Sequence, residues 1–132
     1  MIRVRELRRM TRARLADAEA LFKSRRYDAA VYICGYAVEI ALKARVCRTL
    51  SWAGYPDTRA EFQRYSSFRT HSLDVLLHIS GREDKVKQRA INDWNEVSKW
   101  DPESRYHPVA AITRQQARTM IDSARVLVRI LA

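Results

Sequence analysis

The sequence is short of the residues that interrupt regular structure. Only three glycines and three prolines occur among 132 residues, which argues against long extended linkers and against turn-rich all-β folds. No apolar run approaches the roughly twenty residues that a membrane-spanning helix needs, and the start MIRVRELRRMTRARL lacks the apolar stretch of a secretory signal peptide. We therefore expect one helical domain over residues 1–132, located in the cytoplasm.

Cysteine and histidine are also scarce, with two and three copies. Cys34 and Cys47 are thirteen residues apart in one predicted helix, which is too far for a disulfide between them. No Cys/His spacing is typical of a zinc site. We expect both thiols to be small core residues in a reducing compartment, and the sequence predicts neither a metal site nor a cofactor.

Acidic residues are outnumbered by basic ones. Twenty-five Lys plus Arg against fifteen Asp plus Glu give a formal charge of +10, and most of the cations are Arg, whose planar guanidinium suits phosphate. The surplus is concentrated in residues 1–26, so we expect the first helix to contact an acidic partner such as RNA, a nucleotide or an acidic protein. The alternative is an ordinary solvated helix face. The candidate nucleic-acid contacts are Arg5, Arg8, Arg9 and Arg12.

The spacing of apolar residues predicts where the helices run. An amphipathic first helix covers 3–23, and a second over 27–50 is apolar around most of its circumference, which makes it the centre of a bundle. An ordered loop over 51–70 packs its aromatic side chains on the bundle, and a short helix before Gly81 follows. A third long helix spans 83–99 and stops before Asp101-Pro102. The last helix starts at a capping box, Thr113 and Gln116.

One charged pair lies on the predicted central helix. Glu39 and Lys43 are one turn apart in the favourable acid-first order. Charged groups on a mostly buried helix must find partners or line a cleft, and Arg105 is a candidate partner for Glu39. The candidate ligand-binding residues are therefore Glu39, Lys43, Arg105, Tyr106 and His107. The alternative is that Arg105 and Tyr106 only secure the turn DPESRYHP between the last two long helices.

Three segments of the chain match a known family in order and spacing. They are RRYDAAVYICGYAVEIALKA at 25–44, RTHSLDVLL at 69–77, and WDPESRYHP followed by ITRQQA at 100–117. With them the chain resembles the HEPN domains (higher eukaryotes and prokaryotes nucleotide-binding) of the stand-alone type. The resemblance implies an all-α, up-and-down bundle of four to five helices that is frequently a homodimer. It implies a partner of a minimal nucleotidyltransferase, or a metal-independent ribonuclease in a toxin-antitoxin or defence setting.

The ribonuclease branch of that family carries an Arg, four to six further residues and then a His near the start of a late helix. Arg105 and His107 lie in the right part of the chain, but one residue separates them. Arg64 and His71 have six residues between them, yet they precede the short helix. We therefore expect a non-catalytic binding module for nucleotide, RNA or a nucleotidyltransferase. A metal-independent endoribonuclease of toxin type and a structural protein-interaction adaptor are the alternatives.

The remaining aromatic and histidine candidates have simpler interpretations. Trp94 and Trp100 could stack on bases, but Trp94 is in register with the apolar positions of its helix, so packing is the prediction for both. His71 is expected to pack against or cap the short helix. His78 is expected at the surface.

Overall fold

The computed structural model describes residues 1–103 and 108–132, and these are largely helical. The elements are β1 (Ile2–Arg3), α1 (Val4–Lys23), α2 (Tyr27–Thr49), β2 (Gly54–Tyr55), α3 (Arg59–Arg64), a 3-10 turn (Ser66–Phe68), α4 (Leu73–Ile79), α5 (Glu83–Arg89), α6 (Ile91–Val97) and α7 (Arg114–Leu131). The all-α, HEPN-like bundle predicted from the sequence is confirmed. None of the helices in the described part of the chain is both long and apolar enough to cross a membrane.

The helices α1 and α2 form an antiparallel hairpin joined by three residues. Arg25 turns the chain with a left-handed backbone conformation, φ 61°. The buried stripe of α1 recurs every three to four residues, as an amphipathic helix requires, and consists of Leu7, Thr11, Leu15, Ala18 and Phe22. Because α2 is packed against α1, α4 and α7, it is the central helix, as its apolar circumference predicts.

The last helix, α7, closes the bundle. The predicted capping box is present: the Gln116 backbone N–H donates to the Thr113 hydroxyl at 3.2 Å, and the Thr113 N–H donates to the Gln116 side chain at 2.8 Å. Its buried face packs on α2, α6 and α1. That face consists of Ala117, Met120, Ile121, Ser123, Ala124, Leu127 and Leu131.

The prediction of a third long helix over 83–99 is wrong, because two short helices, α5 and α6, occupy that segment. Ala90 separates α5 from α6 with φ −148° and ψ 44°, although the predicted inward positions Val86, Ala90, Trp94 and Val97 are all buried. The break directs α6 against α7, where the Ser123 hydroxyl donates to the Asp93 carboxylate at 2.9 Å. Tertiary packing therefore overrides the local preference for a continuous helix.

The loop between α2 and α4 is ordered by its aromatic side chains, as predicted. The Trp52 ring lies 4.8 Å from the Phe68 ring and 5.2 Å from the Tyr65 ring, centroid to centroid. The buried Tyr55 hydroxyl donates to the Phe68 carbonyl at 2.6 Å. A two-residue antiparallel pairing of β1 with β2 holds the loop to the amino terminus, and the sequence did not predict it.

Both cysteines are core residues, as predicted. Cys34 and Cys47 are free thiols and fully buried. Burial raises the pKa of Cys34 to about 12 and that of Cys47 to about 11, because the thiolate would lose its hydration. Neither thiol is therefore suited to act as a nucleophile in the folded protein.

Candidate functional site

The predicted charged pair on α2 is formed, and a histidine completes it. The Lys43 ammonium donates to Glu39 Oε2 at 3.3 Å, while His71 Nδ1 lies 2.8 Å from Glu39 Oε1. Glu39 is buried, and the Lys43 ammonium also lies 5.2 Å from the centre of the Tyr55 ring. Both carboxylate oxygens thus have basic partners, which is the condition for keeping such a charge inside a fold.

His71 has a different place from the one predicted. The cap of α4 is Ser72, whose hydroxyl accepts from the Val75 N–H at 3.3 Å, so His71 lies one residue before the cap and bonds α2. Its side chain is 62% exposed. If Nδ1 carries the proton that Glu39 accepts, Nε2 is left as a proton acceptor. Arg64 is exposed in the last turn of α3, and its pairing with His71 in a catalytic site stays a prediction.

Three of the predicted ligand-binding residues lie outside the described residues: Arg105, Tyr106 and His107. The expected pair of Arg105 with Glu39 therefore stays a prediction.

The end of that turn is held by a contact that the sequence did not reveal. The Asp28 carboxylate, in the first turn of α2, accepts from the backbone N–H groups of Ala110 and Ile112 at 2.5 and 2.9 Å. This anchor positions the start of α7 beside α2.

Arginines from three helices surround a cleft, which we call the arginine cleft; all of them are exposed except Arg45, which is half-buried. Arg8 and Arg12 come from α1, Arg45 and Arg48 from α2, and Arg129 from α7. The cleft has a volume of about 480 Å³, and no acidic side chain is among the described residues that line it. Its remaining lining is mostly apolar: Thr11, Ala41, Ala44, Val128, Leu131 and Ala132.

The structure divides the four predicted contacts of α1 into two groups. All four are exposed, but only Arg8 and Arg12 line the arginine cleft. Arg9 instead donates to the Glu6 carboxylate at 3.3 Å. Arg5 lies outside the cleft lining, on the same helix. The basic surface of α1 thus continues beyond the cleft.

Like charges are crowded in the arginine cleft. The Nε atom of Arg45 is buried without a hydrogen-bond partner in the described structure, and so is that of Arg82, at the start of α5. Burial lowers the pKa of Arg45, and the neighbouring guanidinium groups of Arg82, Arg48 and Arg8 lower it further. A guanidinium stays protonated even so. The cleft therefore presents unneutralised positive charge.

Some arginines on other faces of α1 and α7 are neutralised by carboxylates. Glu19 of α1 accepts from Arg118 at 2.7 Å and from Arg125 at 3.2 Å, both on α7. Arg14 is paired with Asp17 at 2.9 Å. The arrangement in the arginine cleft is thus not a general consequence of an Arg-rich composition, since the same helices α1 and α7 carry paired arginines on other faces.

Sequence reasoning missed the arginines that α2 and α7 contribute to the cleft. A local signal existed on α2, where Ala41, Ala44, Arg45 and Arg48 recur at spacings of three and four residues and so share a face. That face combines small residues with two cations next to an otherwise apolar helix. Arg129 had no such signal, because its approach to Arg8 and Arg12 depends on how α7 packs.

The tryptophans have structural positions, as predicted. Trp94 and Trp100 are buried, and the Trp100 indole N–H donates to the Tyr32 carbonyl at 3.1 Å. His78 is exposed at the surface, also as predicted. Among the residues that the structure describes, no cluster of three or more His, Cys, Asp or Glu side chains could hold a metal ion.

Comparison with known families finds a match to the HEPN domain over residues 4–59. The matched range contains α1, α2 and the loop up to the start of α3. It includes the Glu39–Lys43 pair and the four cleft arginines that α1 and α2 contribute. No curated protein and no solved structure was found to match the chain. The helical hairpin that carries both candidate sites is thus the part of the chain that is similar to the HEPN domain family.

Proposed function

We propose that the protein is a non-catalytic binding module for RNA, which it holds by the phosphate groups at the arginine cleft. The observation that supports this most is the convergence of five arginines from three helices on one cleft, with no acidic side chain among its described lining residues. The HEPN family match agrees with a nucleotide- or RNA-related function. The formal net charge of +10 over the whole chain also favours a negatively charged ligand such as RNA.

The arginines of the cleft have no acidic side chain beside them in the described lining. Guanidinium groups that repel one another and have no carboxylate nearby raise the free energy of the unliganded protein. A phosphate group accepts two parallel hydrogen bonds from one guanidinium, one at each of two oxygens, and such charge-assisted bonds are roughly twice as strong as neutral ones. Arg5 and Arg9 extend the basic surface along α1, so a strand longer than the cleft has further contacts.

The experiment is a salt titration of binding to a single-stranded RNA, followed by fluorescence anisotropy. The affinity should fall with salt, and each lost phosphate contact should reduce the slope of log K against log salt by about 0.7. The Arg8→Gln/Arg12→Gln variant should therefore lower the slope by about 1.4. Arg14→Gln/Arg59→Gln, which removes the same charge outside the cleft lining, is the control. Absence of RNA binding at low salt would contradict the proposal.

A second candidate function, a metal-independent endoribonuclease, is favoured by the geometry of His71. Its ring is oriented by the buried Glu39 carboxylate and largely exposed, and an oriented imidazole can take a proton from a 2′-hydroxyl near neutral pH. Cleavage of single-stranded RNA in EDTA that leaves a 2′,3′-cyclic phosphate would support it. His71→Ala should then abolish cleavage and His78→Ala should not.

We also propose, from the family, that the domain forms a homodimer or binds a minimal nucleotidyltransferase. Light scattering coupled to size exclusion tests the homodimer, since the chain has a mass of 15.4 kDa and a homodimer doubles it. A monomer at micromolar concentration would contradict the homodimer.

A further inference from the structure

Three aromatic side chains of the loop between α2 and α4 form a partly exposed cluster, which we call the aromatic surface: Trp52, Tyr65 and Phe68. The Tyr65 ring lies 5.2 Å from the Trp52 ring and 6.2 Å from the Phe68 ring, centroid to centroid. Tyr65 is 40% exposed, whereas Trp52 and Phe68 are half-buried. The two neighbouring rings thus cover only part of the Tyr65 side chain.

The exposed ring of Tyr65 is fixed by its surroundings. The Tyr65 backbone N–H donates to the Glu61 carbonyl at 3.3 Å, and the Tyr65 carbonyl accepts from the Phe68 N–H at 3.0 Å. Phe68 is held in turn by the buried Tyr55 hydroxyl, which donates to its carbonyl. Because the ring is already ordered, a ligand that contacts its exposed side loses little affinity to the ordering of the protein.

The charges available around the aromatic surface are positive. Arg64 and Arg69 are exposed, and neither forms an ion pair with an acidic side chain in the described part of the chain. The Arg69 guanidinium lies 5.8 Å from the centre of the Phe62 ring. The carboxylates of the same segment, Asp57 and Glu61, both bond the ammonium group of the amino terminus, at 2.8 and 2.7 Å. A ligand at this surface is therefore expected to be negatively charged.

An exposed aromatic ring beside unpaired cations matches the chemistry of a single-stranded nucleic acid. Proteins hold such strands by stacking unpaired bases on aromatic rings while cations contact the backbone. A paired duplex keeps its base faces covered, so it gains nothing from the ring. An acidic peptide gains from the cations but lacks a flat group to stack. The combination of ring and cations thus favours an unpaired base with its phosphates.

We propose that the aromatic surface is a base-stacking subsite for single-stranded RNA, in which a base stacks on Tyr65 while Arg64 and Arg69 contact the adjoining phosphates. This inference rests on the proposed function and adds a second place of contact to it. The arginine cleft is lined by α1, α2 and α7, whereas the aromatic surface belongs to the loop between α2 and α4. The cleft contacts phosphates, and the aromatic surface contacts a base.

The test compares a short oligouridylate with an oligomer of the same ribose-phosphate backbone and length that carries no bases. Both are labelled at the 3′ end, and binding is measured by fluorescence anisotropy at low salt. Stacking of one base should make the oligouridylate bind at least about fivefold more tightly. Quenching of tryptophan fluorescence is a second readout. It reports on Trp52, because the other two tryptophans, Trp94 and Trp100, are buried.

Variants of Tyr65 locate the base. Tyr65→Ala should reduce the preference for the oligouridylate to less than about twofold, and the slope of log K against log salt should not change, because no phosphate contact is lost. Tyr65→Leu keeps an apolar side chain beside Trp52 without a ring, so it should have the same effect without opening the loop. Tyr65→Phe keeps the ring and should keep the preference. Ile91→Ala, which changes an apolar side chain 42% exposed on α6, is the control.

Variants of the flanking cations test the phosphate contacts. Arg64→Gln/Arg69→Gln should lower the salt slope by about 1.4, since two phosphate contacts are removed. The preference for the oligouridylate over the oligomer without bases should remain, because the ring is unchanged. A slope equal to that of the parent protein would contradict the assignment of these two arginines.

The outcomes distinguish failure of this inference from failure of the proposed function. Equal affinity for the two oligomers would overturn the inference and leave phosphate binding at the arginine cleft intact. A preference that survives both Tyr65→Ala and Tyr65→Leu would also overturn it, because the base would lie elsewhere. RNA binding that leaves Trp52 fluorescence unchanged would contradict stacking at this surface and favour a protein partner there. If neither oligomer binds at low salt, the proposed function fails together with the inference.

Discussion

At the scale of single residues, Glu39 illustrates how a buried charge constrains its neighbours. The spacing of Glu39 and Lys43 predicts their pairing, because residues four apart on a helix are adjacent. The contact with His71, 32 residues away, has no such local cause. The contact depends on the path of the loop between α2 and α4. The only indication of it in the sequence was the requirement that a buried carboxylate be paired.

Glu39→Gln should destabilise the protein by about 2–4 kcal/mol, since it leaves the Lys43 ammonium without a counter-charge in a largely buried site. Denaturation in urea, monitored by circular dichroism, measures the change. Glu96→Gln removes a carboxylate from an exposed pair with Lys99 and should cost less than about 0.5 kcal/mol. Equal losses of unfolding free energy in the two variants would contradict the larger stabilisation expected from the buried pair.

Gly35 is a second residue whose role depends on tertiary packing. A Cβ at this position would overlap the Trp100 indole, whose N–H donates to the Tyr32 carbonyl. Gly35→Ala should therefore displace the indole and destabilise the protein by about 1–3 kcal/mol, despite the better helix propensity of alanine. Urea denaturation tests this, and an increase in stability would contradict it.

At the scale of elements, α1 and α7 are joined by an ion cluster centred on Glu19. The guanidinium of Arg118 donates to Glu19 and lowers the pKa of that carboxyl below its ordinary value of 4.5. The Arg118 guanidinium also lies 4.7 Å from the centre of the Phe22 ring, so the cluster packs on the core of α1. These contacts, together with the capping box of α7, hold the last helix in the position that forms the arginine cleft.

The Glu19 cluster should make stability depend on pH. Because the pKa of Glu19 is lower in the folded state than in the unfolded state, its contribution is present above about pH 4.5 and is lost as the pH falls through the folded-state value. Glu19→Gln should cost about 1 kcal/mol at neutral pH, since the cluster is only partly buried. Urea denaturation over a pH series should show the difference from the parent protein vanish in acid. A difference that is constant with pH would contradict this assignment.

At the scale of the whole molecule, the two thiols report on how completely the bundle is closed. Cys34 and Cys47 are fully buried, and burial raises the pKa of each. Reaction with a thiol reagent at about pH 8 should therefore be limited by opening of the bundle. Both thiols should react promptly only after denaturation, and prompt reaction of one in the native protein would show that its part of the core opens locally.

The sequence by itself determined the all-α class, the bounds of α1, α2 and α7, the capping box, the Glu39–Lys43 pair and the basic character of α1. These features depend on residues three or four apart, and helical periodicity makes them neighbours whatever the rest of the chain does. Tertiary structure decided the break at Ala90, the reach of His71 to α2 and the meeting of Arg8, Arg48 and Arg129 in one cleft. Those contacts join distant segments, and their geometry comes from how the helices pack, which spacing along one helix does not encode.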